Sequence, residues 1–254
     1  MKKTSAVVVF AKAPLKGFVK TRLKGDAGLS DDETLELYRA FLADTLLAAC
    51  KSKTDAIYLT YYPESGGDAV KELVDACLGK SAALKRLKIL PQEGRDFDER
   101  FTNAVKDALN NADSIVVIGS DLPHIQPKTI DAAQAFLSRK GGMVIGPSRE
   151  GGAYLVGVSK PLDFTGAFTK GIEMENILSI AKTHGMPLLL LDELTDMDVS
   201  SDLVSFICNM EAMKYASLSE SFFPPENTIK AIKRIGLLVE GSKGGERNRR
   251  LFRG

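Results

Sequence analysis

The 254-residue sequence has no tryptophan, only two histidines and three cysteines, almost no net charge, and no long apolar run. His124 and His184 belong to no His-Glu-x-x-His or comparable spacing, which excludes a histidine-built zinc centre, and both rings are expected at the surface. Cys50, Cys77 and Cys208 are odd in number, far apart and set among apolar, helix-like neighbours. They read as reduced core thiols rather than disulfides, which fits a cytoplasmic protein. The first apolar run, residues 6–11, is shorter than a signal-peptide core and far short of a membrane span. It is expected to be a strand, and no membrane partner is implied. The basic and acidic residues, 34 against 33, leave a formal charge of +1, too little to draw the whole molecule onto nucleic acid. Three signatures are missing as well: the Walker Gly-x-x-x-x-Gly-Lys-Ser/Thr, the dinucleotide Gly-x-Gly-x-x-Gly and the Gly-x-Ser-x-Gly nucleophile elbow. P-loop hydrolysis, fingerprint dinucleotide binding and covalent acyl transfer therefore have no support.

What is present is the composition of an ordinary folded domain, 44% hydrophobic and 26% charged, which allows a sizeable core in one α/β unit. Short apolar runs at residues 6–11, 56–62, 87–90, 114–119, 143–146, 154–158 and 187–191 alternate with amphipathic segments. That pattern predicts a mostly parallel sheet with helices on both faces. Ser30 and Glu33 have capping-box spacing at the head of the first helix. Leu35, Tyr38, Leu42, Leu46 and Ala49 fall on one face of it, a stripe assigned to the core and not to a site. Further helices are expected over residues 68–78, 98–110, 127–138 with Pro127 in the first turn, 174–184 and 201–215. Residues 146–158 place Gly151 and Gly152 between two strand-like runs, an antiparallel ribbon inserted late in the sheet. Beyond Ser219, Pro224 and Pro225 interrupt the chain, a short amphipathic helix follows, and residues 241–254 are rich in Gly and Arg. Residues 1–218 are expected to form the main domain, with residues 219–254 a peripheral or mobile extension.

Between the first strand and the first long helix lie Lys12, Lys16, Lys20, Arg22 and Lys24, with no acidic residue before Asp26. In an open α/β sheet, ligands bind beyond the carboxyl ends of the strands, where this segment must lie. Its cations can offset phosphate charge, and Ala13, Pro14, Gly17 and Thr21 belong to the same turn, with Gly17 allowing close backbone approach. A solvated basic loop is the alternative, because charge runs usually face water; position at a strand end favours a nucleotide. Strand 114–119 runs straight into Ser120 and Asp121, which puts Asp121 over the same crevice. A carboxylate opposite a phosphate-binding turn suits Mg2+ or Mn2+, hard cations that take carboxylate and phosphate oxygens together. Capping the turn before Pro123 is its other reading. Asp198, in the cluster Asp196, Asp198 and Asp202, is the candidate second metal ligand, against an N-cap role. Farther back, Gln92 can read a base edge, Gly94 lets backbone come close, and Arg100 can meet phosphate, although pairing with Asp96 is the simpler reading. Glu150, Gly151, Gly152 and Tyr154 are candidate acceptor contacts, with a plain hairpin turn as the alternative.

The segments FAKAPLKGFVKTRL, QEGRDFDERF, IGSDLP, GPSREGGAYLVG and DMDVSSDL occur in this order. Together they resemble the radical-SAM/selenodomain-associated transferase family of the GT-A-fold nucleotide-diphospho-sugar transferase superfamily, over residues 5–207. More distantly the chain is similar to phospholactate and molybdenum cofactor guanylyltransferases. It departs from the commoner family pattern at Glu150, where Asp is usual, and at Ala153, where Tyr is frequent. The resemblance implies a three-layer, Rossmann-like GT-A domain in which residues 12–22 cradle nucleotide phosphates and Asp121 supports the metal. The expected activity is nucleotidyl transfer from a nucleoside triphosphate to a phosphorylated small molecule, with Lys20, Arg22 and Asp121 as catalytic residues. Glycosyl transfer from a nucleoside diphosphate sugar and a non-catalytic nucleotide-binding module are the alternatives.

Overall fold

The computed structural model describes residues 4–220, 222–241 and 249–254. Strand β1 (Ser5–Lys12) is followed by a turn, the short helix α1 (Thr21–Ala27) and the long helix α2 (Asp31–Lys51). Then come β2 (Ala56–Tyr62), α3 (Gly67–Leu78), β3 (Leu87–Pro91) and α4 (Phe97–Leu109). β4 (Ser114–Gly119) precedes α5 (Pro127–Lys140), β5 (Met143–Pro147) and β6 (Ala153–Val158). α6 (Glu173–Thr183), β7 (Leu188–Leu190), α7 (Ser200–Ser217) and α8 (Glu226–Ile235) follow, and β8 (Leu237–Glu240) pairs with β9 (Arg250–Arg253) in a small ribbon.

The main sheet has the order β3-β2-β1-β4-β6-β5-β7. All its neighbours are parallel except β6, which runs antiparallel to both β4 and β5. The late ribbon expected from Gly151 and Gly152 is thus β5–β6. Register brings the ends that matter to one edge: Lys12 lies opposite Tyr62, Phe10 opposite Gly119, and Tyr61 opposite Pro91. β6 enters from that same edge, with Ile118 of β4 opposite Leu155.

Period-two alternation along β1 sends Val7 and Val9 to one face and Ala6 and Val8 to the other. The first pair joins a core with Leu42, Leu46, Val70, Leu73 and Ile130 from α2, α3 and α5. The second joins Phe101, Val105, Ile177 and Ala181 from α4 and α6. This is the three-layer Rossmann-like arrangement expected from the alternation of elements. The capping box is present as read, with Ser30 and Glu33 each accepting from the other's backbone N–H.

Three elements were not legible. α1 has seven residues and a glycine at its fifth, too little for a periodic signal. β8 and β9 have four residues each. A third core, built from Leu23, Phe41, Leu203, Phe206, Ile229, Ile232 and Leu237, joins α1, α2 and α7 to α8 and β8. The buried carboxylate of Asp44 accepts from Asn227 N and Nδ2 and from Thr228 N, which anchors the start of α8 on α2. The described part of residues 219–254 therefore shares a core with the main domain. Cys50 and Cys77 are half-buried free thiols, but Cys208 is exposed, because α7 buries one face only and Cys208 lies off it. No helix among the described residues is long and apolar enough to cross a membrane.

Candidate functional site

A cleft of about 950 Å³ opens along the strand-end edge, lined by residues from β1, α1, β4, the β5–β6 turn and the segment before α7. Its centre is an ion cluster assembled from positions far apart in sequence. The Lys20 ammonium donates to Asp121 Oδ2 in a short contact and to Asp198 Oδ1 at 2.6 Å. Asp196 completes a triad in which Asp121, Asp196 and Asp198 each bring one oxygen within 4.8 Å of the others.

Backbone constraints hold each member in place. Lys20 precedes α1 in the left-handed region, φ 51°, which costs a non-glycine residue on the order of 1 kcal/mol. Asp121 follows β4 after Ser120, and Thr45 Oγ1 of α2 accepts from Leu122 N and donates to Phe41 O, fixing that turn. Met197 N donates to Asp121 O at 3.1 Å, stitching the two acidic segments together. Asp202, buried at the head of α7, accepts from Asp198 N, Val199 N and Arg149 Nη1. Asp202 is thus the N-cap-type carboxylate of this cluster, while Asp198 turns its own carboxylate to Lys20.

Charge sets the electrostatics of the triad. Burial disfavours the ammonium of Lys20, but Asp121 and Asp198 outweigh it and hold the pKa above the usual lysine value. Burial alone would raise Asp198, yet Lys20, Arg22 and Lys12 hold it below the usual aspartate value. Asp196 is pushed up to about 6, first by burial and then by the neighbouring Asp121 and Asp198. A dense carboxylate set beside three cations is a fit donor environment for a hard divalent cation, and its charge would relieve the crowding around Asp196.

Of the predicted nucleotide contacts, Lys12, Lys20, Thr21, Arg22, Gln92 and Arg100 line the cleft. Ala13 and Pro14 do not: both are buried, and Ala13 packs against Gly66, whose α-carbon leaves no room for a side chain. Gly17 shapes the exposed turn with φ 75° but stands off the cleft. Gly94 is also off it. With φ 144°, a side chain there would strike Arg100 N at 2.7 Å, so this glycine serves the close approach of the loop to α4. The Gln92 Nε2 donates to Ala11 O and Thr60 O, tying β1 to β2. Arg100 does not pair with Asp96, which instead caps α4 by accepting from Glu99 N. The Arg100 guanidinium lies over the Tyr62 ring at 4.2 Å, and its Nε is buried without a hydrogen-bond partner.

At the other end, Gly151, Gly152 and Tyr154 line the cleft, whereas the side chain of Glu150 lies outside the described residues. Tyr154 donates to Asp192 O, and its ring covers Gly146, where a Cβ would meet the ring at 2.4 Å. Glu173 joins this wall and accepts from Ala153 N. Burial raises its pKa against that hydrogen bond.

Sequence reasoning missed Tyr38. Its hydroxyl donates to Lys12 O, accepts from Lys12 N and lies 3.0 Å from Ser120 Oγ, so a member of the core stripe also locks the two strand ends that carry the site. Helical periodicity reports where a side chain is directed, not what its terminal atom reaches. His124 is partly buried rather than at the surface, against Phe206, and burial lowers its pKa to about 4, which keeps it neutral. His184 is exposed as expected.

Solved structures share this architecture. A candidate nucleotide-diphospho-sugar transferase from Desulfovibrio desulfuricans G20 has a TM-score of 0.73 at 24% identity, covering 91% of this chain and 95% of that one. A cytidylyltransferase from Leptospira borgpetersenii serovar Hardjo-bovis has a TM-score of 0.53 at 17% identity, covering 91% of this chain and 94% of that one. The 4-diphosphocytidyl-2C-methyl-D-erythritol synthase of Anaerococcus prevotii has a TM-score of 0.50 at 9% identity, covering 83% of this chain and 97% of that one. At these identities the likeness is one of fold, a GT-A-like α/β fold. No curated protein matches the sequence. Residues 45–174, half of the chain, match a family model described as "Uncharacterized protein conserved in bacteria (DUF2064)", and the chain belongs to that family.

Proposed function

We propose that this protein is a metal-dependent, nucleotide-using transferase, and that its reaction is nucleotidyl transfer from a nucleoside triphosphate to a phosphorylated small-molecule acceptor. The observation that carries the reading is the meeting of Lys20 with Asp121 and Asp198 at the strand ends, with Lys12 and Arg22 close enough to act on the Asp198 carboxylate. Two of the solved proteins with this fold are described as nucleotide-handling transferases, which accords with it.

In this reaction an acceptor phosphate oxygen bonds to the α-phosphorus, the bridging P–O bond to the β-phosphate breaks, and pyrophosphate leaves with the electron pair. Lys20, Arg22 and Lys12, which line the cleft, would take the charge of the departing pyrophosphate. Asp121, Asp196 and Asp198 would hold Mg2+ or Mn2+, whose Lewis acidity lowers the cost of charge on the phosphate oxygens. Tyr62 and Arg100 offer a flat, cationic-aromatic face for a base, and Gln92 stands beside them. Gly151, Gly152 and Tyr154 form the acceptor end. An acceptor phosphate is already ionised near neutral pH, so the attack needs no general base from the protein.

One observation favours a second reading, glycosyl transfer from a nucleoside diphosphate sugar. Asp196 and Asp198 both enter the triad and spell Asp-x-Asp. Product analysis after incubation with Mn2+, nucleoside triphosphates and phosphorylated acceptors decides between them. Release of pyrophosphate supports nucleotidyl transfer; release of a free nucleoside diphosphate from a sugar nucleotide, with no pyrophosphate from any triphosphate, overturns it. Metal-dependent nucleotide binding without turnover over the acceptor panel would leave a binding module.

A further inference from the structure

Lys20 stands where a divalent cation would need to be. Its ammonium bridges Asp121 Oδ2 and Asp198 Oδ1, and Asp196 adds a third oxygen within 4.8 Å of theirs. The Lys20 side chain is only 5% exposed. An ammonium is a compact charge with three donors, and here it neutralises carboxylates that would otherwise repel one another. A divalent cation seated on the same oxygens would face this ammonium within a few ångströms, where water screens the repulsion poorly. The two cations exclude each other unless Lys20 leaves. It has somewhere to go: a flexible four-carbon stem starting from the basic turn, and a cleft wall that it shares with Lys12 and Arg22. Phosphate oxygens held by those two residues would replace the anionic partners that Lys20 gives up.

Resting on the nucleotide-and-metal reading above, we infer that Lys20 is a resident counter-ion that keeps the acidic triad closed to divalent metal until the phosphates of a nucleotide draw it away. Metal alone then binds weakly, phosphate and metal bind with positive coupling, and each raises the affinity of the other by the same factor. Lys20 has two states, one on the carboxylates in the resting protein and one on phosphate in the loaded protein, and the ligand chooses between them.

Titration calorimetry with Mn2+ tests this on the full-length protein, on Lys20→Ala and on Lys20→Gly, the latter because glycine accepts the left-handed backbone at this position without strain. Both variants are expected to bind Mn2+ at least about tenfold more tightly than wild type, within the usual range of coupling between sites. Inorganic phosphate should strengthen Mn2+ binding by a larger factor in wild type than in either variant. Equal or weaker Mn2+ binding by both variants, with Asp121→Asn still abolishing it, overturns the counter-ion role and leaves the metal site standing. Absence of Mn2+ binding in wild type and in the Lys20 variants alike overturns the metal reading together with this one.

Discussion

Replacing Asp196 by asparagine separates what the acidic triad costs the fold from what it does for a ligand. The pKa of Asp196 is raised from 3.8 to about 6 by burial and by Asp121 and Asp198. The folded protein therefore holds that proton more tightly than the unfolded chain does. The contribution of this group to stability falls as pH rises from about 4 to about 6 and is flat above, because the carboxylate is then ionised in both states and only the folded one disfavours it. Two pKa units correspond to about 3 kcal/mol at about 1.36 kcal/mol each. Asp196 is half-buried and water screens part of this, so about 1–2 kcal/mol is expected. Asp196→Asn should raise the unfolding free energy by that amount at pH 8 in the presence of a chelator, with the gain fading below pH 4. Urea unfolding at pH 4, 6 and 8 measures it as a shift in midpoint at constant slope. With Mn2+ and nucleotide present the order should reverse, since the variant loses a ligand and with it the stabilisation that binding confers. An Asp196→Asn protein less stable than wild type at pH 8 without metal would refute the reasoning, because the triad would then not be a source of strain.

Tyr38→Phe removes the hydroxyl that serves both Lys12 N and Lys12 O, and is expected to lower stability by about 1–3 kcal/mol in urea unfolding, with weaker nucleotide binding from the released strand ends. A variant of wild-type stability would show that water replaces the hydroxyl without loss. Asp44→Ala leaves three donors at the head of α8 unpaired and should cost about 1–3 kcal/mol while nucleotide affinity stays unchanged, since α8 does not line the cleft. Hydrogen exchange should show the loss as faster exchange in α8; protection equal to wild type there would contradict the anchoring role.

The sequence discloses the fold through physics that is local. Each strand of the main sheet is a short apolar run bounded by turn residues, and the capping box of α2 needs only Ser30 and Glu33 at the right spacing. The ribbon β5–β6 was visible in Gly151 and Gly152. Lys20 and Asp121 were legible as site candidates because the strand-end rule converts sequence position into spatial position. What the sequence could not give depends on contacts between distant segments. Asp196 belongs with Asp121 because Met197 bonds back to Asp121 O, Arg100 turns to Tyr62 instead of Asp96, and Ala13 is used up in packing against Gly66. Composition marked residues 219–254 as a peripheral or mobile extension; in its described part, Ile229, Ile232 and Leu237 complete a core begun at Leu23 and Phe41. Gly94 shows that a glycine at a strand end can answer to a helix backbone rather than to a ligand.

The union of the basic turn and the Asp121 carboxylate into one nucleotide–metal site is tested most directly by calorimetric titration of nucleoside triphosphates, with and without Mn2+, into wild type and Asp121→Asn. Wild type should bind a triphosphate more tightly with Mn2+ than without, and Asp121→Asn should lose that metal-dependent gain while remaining folded. Identical binding by the two proteins, or no binding of any triphosphate to wild type with Mn2+ present, would contradict the account.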